Sequence, residues 1–494
     1  MGAARAFRLT RLEVGDFDEV DEFLDVSFGA RESDASWTTL ITGRNGSGKS
    51  RLLAAAATAF DAMNGREFRK AQSIAIEYHL GDQECAFRVD GKRRSAYLDG
   101  RPVELERLPR PRSVVAATAS AFDKFHLPHE SKSLDPKPTD SLYRYLGLKD
   151  ARGRVSSRAG VFRALEQLFD ASAEDHQRRQ RVADVFTYLG YSPNVEVTYA
   201  WTVSGRQTLE AASEDPTVAI QDYLLDAAKR DDNATRTFLP NYLYEDPMAV
   251  GSLSDSFQAI REFSDGNRVR LSADFEHPNS RPEHLLRMAR LLSRVGFVQM
   301  EDVHLRRMGS KRGVRITDAS SGELSLAITM LGIASSIQDQ SLILIDEPEI
   351  SLHPQWQSEY LERLTQGFAA YRGCHFVIAT HSPTIVAGAS SEAISIVDLE
   401  EQSPLTDEPT GGRSVDEVLF ETFGVISSNN LHLRDLLVTA LRGAEDGDLA
   451  TSSFDRDMQT LEVARRELPV NDPTGRIIDS LVRLRTQLAE RTPS

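Results

Sequence analysis

The sequence predicts an α/β fold: a head with an antiparallel β subdomain, a mostly helical insertion and a helical C-terminal tail. Three observations predict it. Gly43-Arg44-Asn45-Gly46-Ser47-Gly48-Lys49-Ser50 lies between the apolar pair Leu40-Ile41 and RLLAAAATAF, so a strand, a glycine-rich loop and a helix follow one another. About 300 residues later, LILIDEP at 342–348 is an apolar strand ending in two carboxylates. Between the two, near residue 128, alternating strand patterns give way to helical periodicity.

Residues 1–127 form the N-terminal lobe of the head. FRLTRLEV at 7–14 alternates apolar and polar, and 23–28 and 37–42 are further short strands, the last feeding the glycine-rich loop. Strands at 73–80, 85–89 and 95–98 are separated by the turn dipeptides Gly81-Asp82, Asp90-Gly91 and Asp99-Gly100, the signature of an antiparallel sheet. SVVAAT at 113–118 is a continuous buried strand. Residues 128–300 form the insertion, which opens on an exposed connection at 128–140. Val161, Phe162, Leu165, Leu168 and Phe169 share one helical face, 180–190 and 284–296 are helical, and 195–201 is a strand. No heptad is sustained, so the insertion is compact and not a long coiled coil.

Residues 301–400 form the C-terminal lobe, with strands near 302–307 and 313–316, a helix after Ser321-Gly322, the acidic strand at 341–346, a helix at 354–370 and a strand at 374–380. Residues 401–494 are a linker, marked by Pro404, Pro409 and Gly411-Gly412, and a tail of amphipathic helices at 415–424, 430–443 and 475–490.

Composition narrows the function classes. No run of 18 apolar residues exists, so the sequence predicts no membrane span. MGAARAFRLTRLEV lacks the apolar core of a signal peptide, and Ala6 breaks the myristoylation pattern. Cys85 and Cys374 form no metal or redox spacing, and a cytoplasmic location is the economical reading. The net charge of −16 argues against general nucleic-acid binding. Residues 281–315 nevertheless hold nine Arg/Lys against three Asp/Glu, whereas 400–494 hold ten against eighteen. The basic stretch would suit a DNA backbone; a solvated face accounts for it equally well.

The loop at 43–50 matches the G-x-x-x-x-G-K-[ST] spacing of a phosphate-binding loop. Its glycines let the backbone point N–H groups at phosphate oxygens, and the helix start favours an anion. Lys49 is the candidate for the β/γ-phosphates of ATP and Ser50 for Mg2+, with Arg44, Asn45, Ser47 and Arg51 completing the nucleotide contacts. Asp346, at a strand end, is the second candidate for Mg2+, and Glu347 is the candidate to orient or deprotonate the attacking water. His381 follows the apolar strand FVIAT and is placed to hydrogen-bond a γ-phosphate. SSGELS at 320–325 opens a helix, and Ser321, Gly322 and Glu323 make a second candidate anion site. If the two helix starts cannot reach one nucleotide, a second copy must supply one of them, which predicts a head-to-tail homodimer or higher oligomer with ATP in the seam.

GRNGSGKS, SSGELS, LILIDEPEISLHP and IATHSP, in this order, resemble the ATP-binding-cassette (ABC) ATPase superfamily in its SMC, DNA-repair and overcoming-lysogenization-defect branch. The resemblance implies an ABC-type P-loop ATPase head, with the signature motif at Ser321, Gly322 and Glu323, the D-loop at Ser351-Leu352-His353 and the switch histidine at His381. The family's glutamine after the strand at 113–118 is missing, and Ser120 and Asp123 are the candidates to replace it. EISLHPQWQ at 349–357, GCHF at 373–376 and YLGL at 145–148 are similar to the ATPase subunit of Septu-type anti-phage systems, also found in some retron systems. That resemblance implies a separately encoded HNH-type nuclease as partner.

The expected activity is hydrolysis of ATP to ADP and phosphate by a sensor or regulator of an antiviral defence complex. The alternative is a DNA-repair or chromosome-maintenance ATPase of the same superfamily. A transporter motor is disfavoured, since the signature lies about 270 residues beyond the phosphate loop. Intrinsic nuclease activity is not expected: Glu445-Asp446-Gly447-Asp448 follows a helical run, where a Toprim site would follow a strand.

Overall fold

The computed structural model describes residues 6–16, 23–29, 34–64, 72–91, 93–128, 142–149, 162, 164–166, 168–169, 176–212, 216–229, 246–277, 280–310, 313–316, 321–350, 352–389, 393–400, 403–404, 414–423, 426, 430–446, 452–468 and 472–489. In chain order the head opens with β1 (Phe7–Asp16), β2 (Leu24–Ser27), β3 (Trp37–Thr42) and α1 (Lys49–Ala62). It continues with β4 (Gln72–Leu80), β5 (Gln83–Asp90), β6 (Arg93–Leu98), β7 (Arg101–Val103), β8 (Val114–Thr118) and β9 (Tyr143–Leu146). Six of these strands form an antiparallel sheet in the order β2-β1-β4-β5-β6-β7. In β1 the apolar residues Phe7, Leu9, Leu12 and Val14 break period two. A register shift between Leu9 and Arg11 absorbs the extra residue and keeps all four buried.

The insertion holds α2 (His176–Tyr188), β10 (Tyr191–Trp201), α3 (Val203–Ala211), α4 (Thr217–Lys229), α5 (Pro247–Glu262), β11 (Arg268–Asp274), α6 (Ser280–Arg294), β12 (Val298–Arg307) and β13 (Gly313–Arg315). Phe162, Leu165, Leu168 and Phe169 are buried on one helical face; Val161 lies outside the described residues. The structure differs from the sequence reading in three ways here. The four strands β11-β10-β12-β13 make one antiparallel sheet, of which the sequence showed only β10 as an insertion strand. The strands near 302–307 and 313–316, expected in the C-terminal lobe, join this sheet instead, β12 pairing with β10 and β13 with β12: Val303 and Leu305 of β12 and Val195 and Val197 of β10 share one apolar face. Conversely β9, expected within the insertion, is the edge strand of the head's main sheet, because Tyr143 and Tyr145 bury beside Val114 and Ala116.

The second half of the head supplies α7 (Ser321–Ser336), β14 (Leu342–Asp346), α8 (Pro354–Ser358), α9 (Tyr360–Gly367), β15 (His375–Ala379), α10 (Pro383–Ala387), β16 (Ile394–Asp398) and β17 (Ser403–Pro404). The helix expected over 354–370 breaks at Glu359, where Glu359 and Arg363 pair at 2.5 Å. The main sheet has seven strands in the order β17-β16-β3-β15-β14-β8-β9, parallel except for β17. Every residue of β3, β8, β14 and β15 is buried, which is why these strands read as continuous apolar runs.

The two faces of this sheet carry different layers. Val114, Ala116, Leu342, Leu344 and Val377 pack on α1, which the antiparallel sheet covers from the other side. A helix sandwiched between two sheets must be largely small and apolar, and residues 52–57, Ala59 and Phe60 are all apolar and buried. Val115, Ala117, Ile343, Ile345 and Ile378 face the opposite way and share a core with α7 and the insertion. The tail comprises α11 (Val415–Glu421), α12 (Leu431–Asp446), α13 (Ser452–Glu467) and α14 (Pro473–Ala489). Val418 and Phe423 pack on the head, while Phe420 joins Leu437, Phe454, Met458, Leu461 and Ile478 in a separate core. The helix α13 was not expected from the sequence.

Candidate active site

Parallel pairing brings four strand ends to one edge. Asp346 is level with Ala379 and Thr118, and Ala379 is level with Ile41. The glycine-rich loop, the acidic pair, His381 and the loop after β8 therefore leave the sheet together, where ligands bind in open α/β sheets. Gly43 and Gly48 make the tight loop. Both have positive φ (136° and 98°), and a Cβ on either would lie 2.9 Å from a neighbouring side chain, Ser47 Oγ and Leu24 Cδ1 respectively. Lys49 Nζ donates to the carbonyls of Gly43 (2.7 Å) and Arg44 (2.9 Å), so the ammonium is held inside the loop. Arg44 and Asn45 are exposed, and Arg44 reaches Glu400 at 3.3 Å, a surface pair of small energetic weight.

Across the site, Ser50 Oγ donates to Asp346 Oδ1 at 3.0 Å. The pair joins residues 296 positions apart. It offers two hard oxygen ligands, the donor type Mg2+ takes. Among the described residues no group of three or more His, Cys, Asp or Glu side chains could hold a metal ion, so a cation here would complete its shell with water or ligand oxygens. Burial pushes the Asp346 carboxyl up to about 7 against the Ser50 hydrogen bond, and neighbouring Glu347, Asp123 and Glu349 push the same way. Such a carboxylate is poorly solvated and gains from a divalent cation.

Glu347 has φ 51°, a left-handed conformation that costs a non-glycine residue about 1 kcal/mol or more. Its backbone N–H donates to Ala379 O at 2.9 Å, which fixes the turn. The Glu347 carboxylate then stands 3.9 Å from His381 Nε2. Burial lowers the His381 pKa, the Lys49 charge lowers it further, and Glu347 opposes both. A neutral imidazole results, suited to hydrogen-bonding a phosphate oxygen. The structure thus brings Lys49, Ser50, Asp346, Glu347 and His381 to one edge.

The helix α7 begins at Ser321, and its Leu326, Ala327 and Met330 pack on the face of the sheet opposite α1. Gly322 is half-buried; Ser320 and Ser351, and the side chains of Ser321 and Glu323, lie outside the described residues. Arg51 is half-buried on α1, and His353 caps α8 through Gln355 N–H. In the loop after β8, Asp123 is fully engaged: Oδ1 accepts from Lys149 Nζ (2.9 Å) and Phe125 N–H (3.0 Å), and Oδ2 from Tyr145 OH (3.0 Å). Ser120 Oγ accepts from Phe122 N–H at 3.3 Å. Sequence reasoning missed Glu349, whose carboxylate accepts from Thr380 and His381, and nothing in its spacing marks it.

A pH dependence follows. Burial pulls the Lys49 ammonium down to about 8, against the nearby carboxylates of Glu347, Glu349, Asp346 and Asp398. Below about pH 7 Asp346 gains a proton and loses its hold on a cation; above about pH 8 Lys49 loses the charge a phosphate needs. Affinity of this edge for a phosphate ligand carried with a divalent cation should therefore peak between about pH 7 and about pH 8 and fall on both sides. Titration with a fluorescent ATP analogue across this range checks it, and a flat profile would contradict it.

The family described as "AAA domain, putative AbiEii toxin, Type IV TA system" matches residues 38–387, a span that includes the whole of this edge. "Retron Vc95 probable ATPase" of Vibrio cholerae serotype O1 biovar El Tor is 28% identical over 95 residues, covering 17% of this chain and 18% of that protein. "Protein ea59" of Escherichia phage lambda is 37% identical over 67 residues, covering 14% and 13%. The chain thus spans less than a fifth of the length of these relatives. Among solved structures, an SMC head bound to the C-winged helix domain of ScpA is 16% identical with a TM-score of 0.31, covering 80% of this chain and 96% of that one. The SMC head domain from Thermotoga maritima is 11% identical with a TM-score of 0.34, covering 79% and 94%.

Proposed function

Because the chain belongs to the family described as "AAA domain, putative AbiEii toxin, Type IV TA system", we propose that it binds ATP with Mg2+ at the edge formed by β3, β14 and β15 and hydrolyses it. The observation that carries this reading is the Ser50–Asp346 contact at 3.0 Å, with Glu347 and His381 beside it. Lys49 leaves its carbonyl partners for the β/γ-phosphates. Ser50 and Asp346 would hold Mg2+, which when bound neutralises charge on the phosphate oxygens. Glu347 orients the attacking water and accepts its proton, and His381 donates a hydrogen bond to the γ-phosphate.

The site is shared between copies in this proposal. With α1 and α7 on opposite faces of one sheet, Ser321–Glu323 of one copy would complete the site of another in a homodimer or higher oligomer. No described helix is long and apolar enough to cross a membrane.

We further propose that the chain is the sensor or regulator of an anti-phage defence assembly whose effector is a separate nuclease. Support comes from the family description and from the retron relative, each of which concerns those proteins and not this one. The tail supports it too: with Phe420 of α11 it forms a core separate from the head's, a unit that could carry a partner without unpacking the head. Helix α12 runs to Asp446, which places Glu445 and Asp446 on a helix; Asp448 lies outside the described residues. The purified chain should leave plasmid and phage DNA uncut with ATP and either Mg2+ or Mn2+. Deleting residues 431–494, which spares the α11 contacts to the head, should leave nucleotide binding within about threefold and abolish protection of cells. Robust cleavage by the isolated chain, lost on mutating Asp446 and Asp448, would make the protein its own effector.

A further inference from the structure

Glu349 follows the acidic pair by two residues, in the turn between β14 and α8. Its Oε1 accepts the backbone N–H of His381 at 2.5 Å, and its Oε2 accepts the Thr380 hydroxyl at 2.9 Å. The Thr380 oxygen in turn accepts Ser382 N–H at 3.0 Å, and Ser382 Oγ donates to Gln357 at 2.6 Å. One carboxylate thus holds two consecutive residues at the end of β15, and a chain of hydrogen bonds extends that hold to α8. A second strap, Glu347 N–H to Ala379 O at 2.9 Å, ties the same two turns from the other side.

The two donors that meet at Glu349 explain why this position carries a carboxylate. Both carboxylate oxygens accept, and neither donates. A glutamine could keep His381 N–H only through its carbonyl, would turn its NH2 group toward the Thr380 oxygen, and would replace two charge-assisted bonds by weaker neutral ones. The backbone of His381 is therefore fixed by Glu349, and only the side-chain torsions remain to place the ring against Glu347.

We propose that Glu349 is a positioning residue for the ATPase reaction: its carboxylate fixes the Thr380-His381 backbone and so sets the His381 imidazole against the Glu347 carboxylate and the γ-phosphate. This inference rests on the reading of the site as an ATP hydrolase with His381 facing the γ-phosphate. Displacing a reacting group by about 1 Å costs on the order of 100-fold in rate, so weakening this hold should be read in kcat. Nucleotide affinity, which resides in the loop around Lys49, should barely move.

The test measures steady-state ATP turnover and binding of a fluorescent ATP analogue in the full chain, for wild type, His381→Ala, Glu349→Gln and the double variant. Glu349→Gln should lower kcat by about 10- to 100-fold with binding within about threefold, and the double variant should be no slower than His381→Ala alone. Wild-type turnover by Glu349→Gln would overturn the proposal, as would a double variant slowed by the product of the two single effects. If circular dichroism shows Glu349→Gln unfolded, Thr380→Val decides, since it removes one donor and keeps the carboxylate: a several-fold fall in kcat at unchanged affinity supports the proposal, and a wild-type rate overturns it. A wild-type chain without turnover would sink the hydrolase reading and this inference with it; wild-type turnover with an unimpaired Glu349→Gln sinks the inference alone.

Discussion

Glu347→Gln should hold ATP and fail to turn it over. The amide has nearly the size of the carboxylate, so the turn built on φ 51° and the Glu347 N–H···O bond to Ala379 should persist. What is lost is the group that accepts a proton from water. General-base catalysis contributes about 100- to 10,000-fold, and kcat should fall by that order. Affinity for ATP should stay within about threefold, because Lys49 and the glycine-rich loop are untouched. Phosphate release and nucleotide binding measured on the same preparation check both halves. Turnover at the wild-type rate would remove Glu347 from the chemistry.

Lys49→Ala should fail one step earlier, in binding. The Lys49 ammonium is buried and, among the described residues, donates to the carbonyls of Gly43 and Arg44 and, more distantly, to Ser47 Oγ at 3.4 Å. A charge-assisted bond to phosphate contributes about 1.5–3 kcal/mol, so affinity should fall by roughly 10- to 100-fold. Removing a buried charge leaves the helix start intact, since α1 is held by Leu52, Leu53 and Phe60 between the two sheets. An unchanged dissociation constant would place the phosphates elsewhere.

The head was legible in the sequence because its physics is local. Buried parallel strands must be apolar throughout, and LILID and VVAAT are; the loop between β3 and α1 must be glycine-rich, and it is. The insertion sheet was not legible. In β11 (RVRLSAD) only Val269, Leu271 and Ala273 face the core, and Arg268 and Arg270 on the open face hide the alternation under charge. The strand β9 is four residues long, too short for a pattern. In α13, Phe454, Met458 and Leu461 recur at helical spacing, yet the many charges between them mask the stripe.

Within the site, the glycine-rich spacing pointed to Lys49 and Ser50, and the ends of apolar runs pointed to Asp346, Glu347 and His381. Glu349 escaped notice because its role exists only once β14 and β15 lie side by side. The placement of α7 was half legible. Alternation shows that each strand has two faces, but not which helix covers which.

The proposed site for ATP hydrolysis is shared between two copies of the chain. Mixing inactive variants tests it most directly. Lys49→Ala spoils the phosphate loop and spares the signature helix; Ser321→Arg blocks the start of α7 and spares the loop. Each alone should be inactive. An equimolar mixture should form dimers in which one composite site is intact, and its turnover should exceed the sum of the two variants measured separately. Mixed dimers, demonstrated by co-purification of differently tagged chains, whose turnover is no higher than that sum would contradict the shared site.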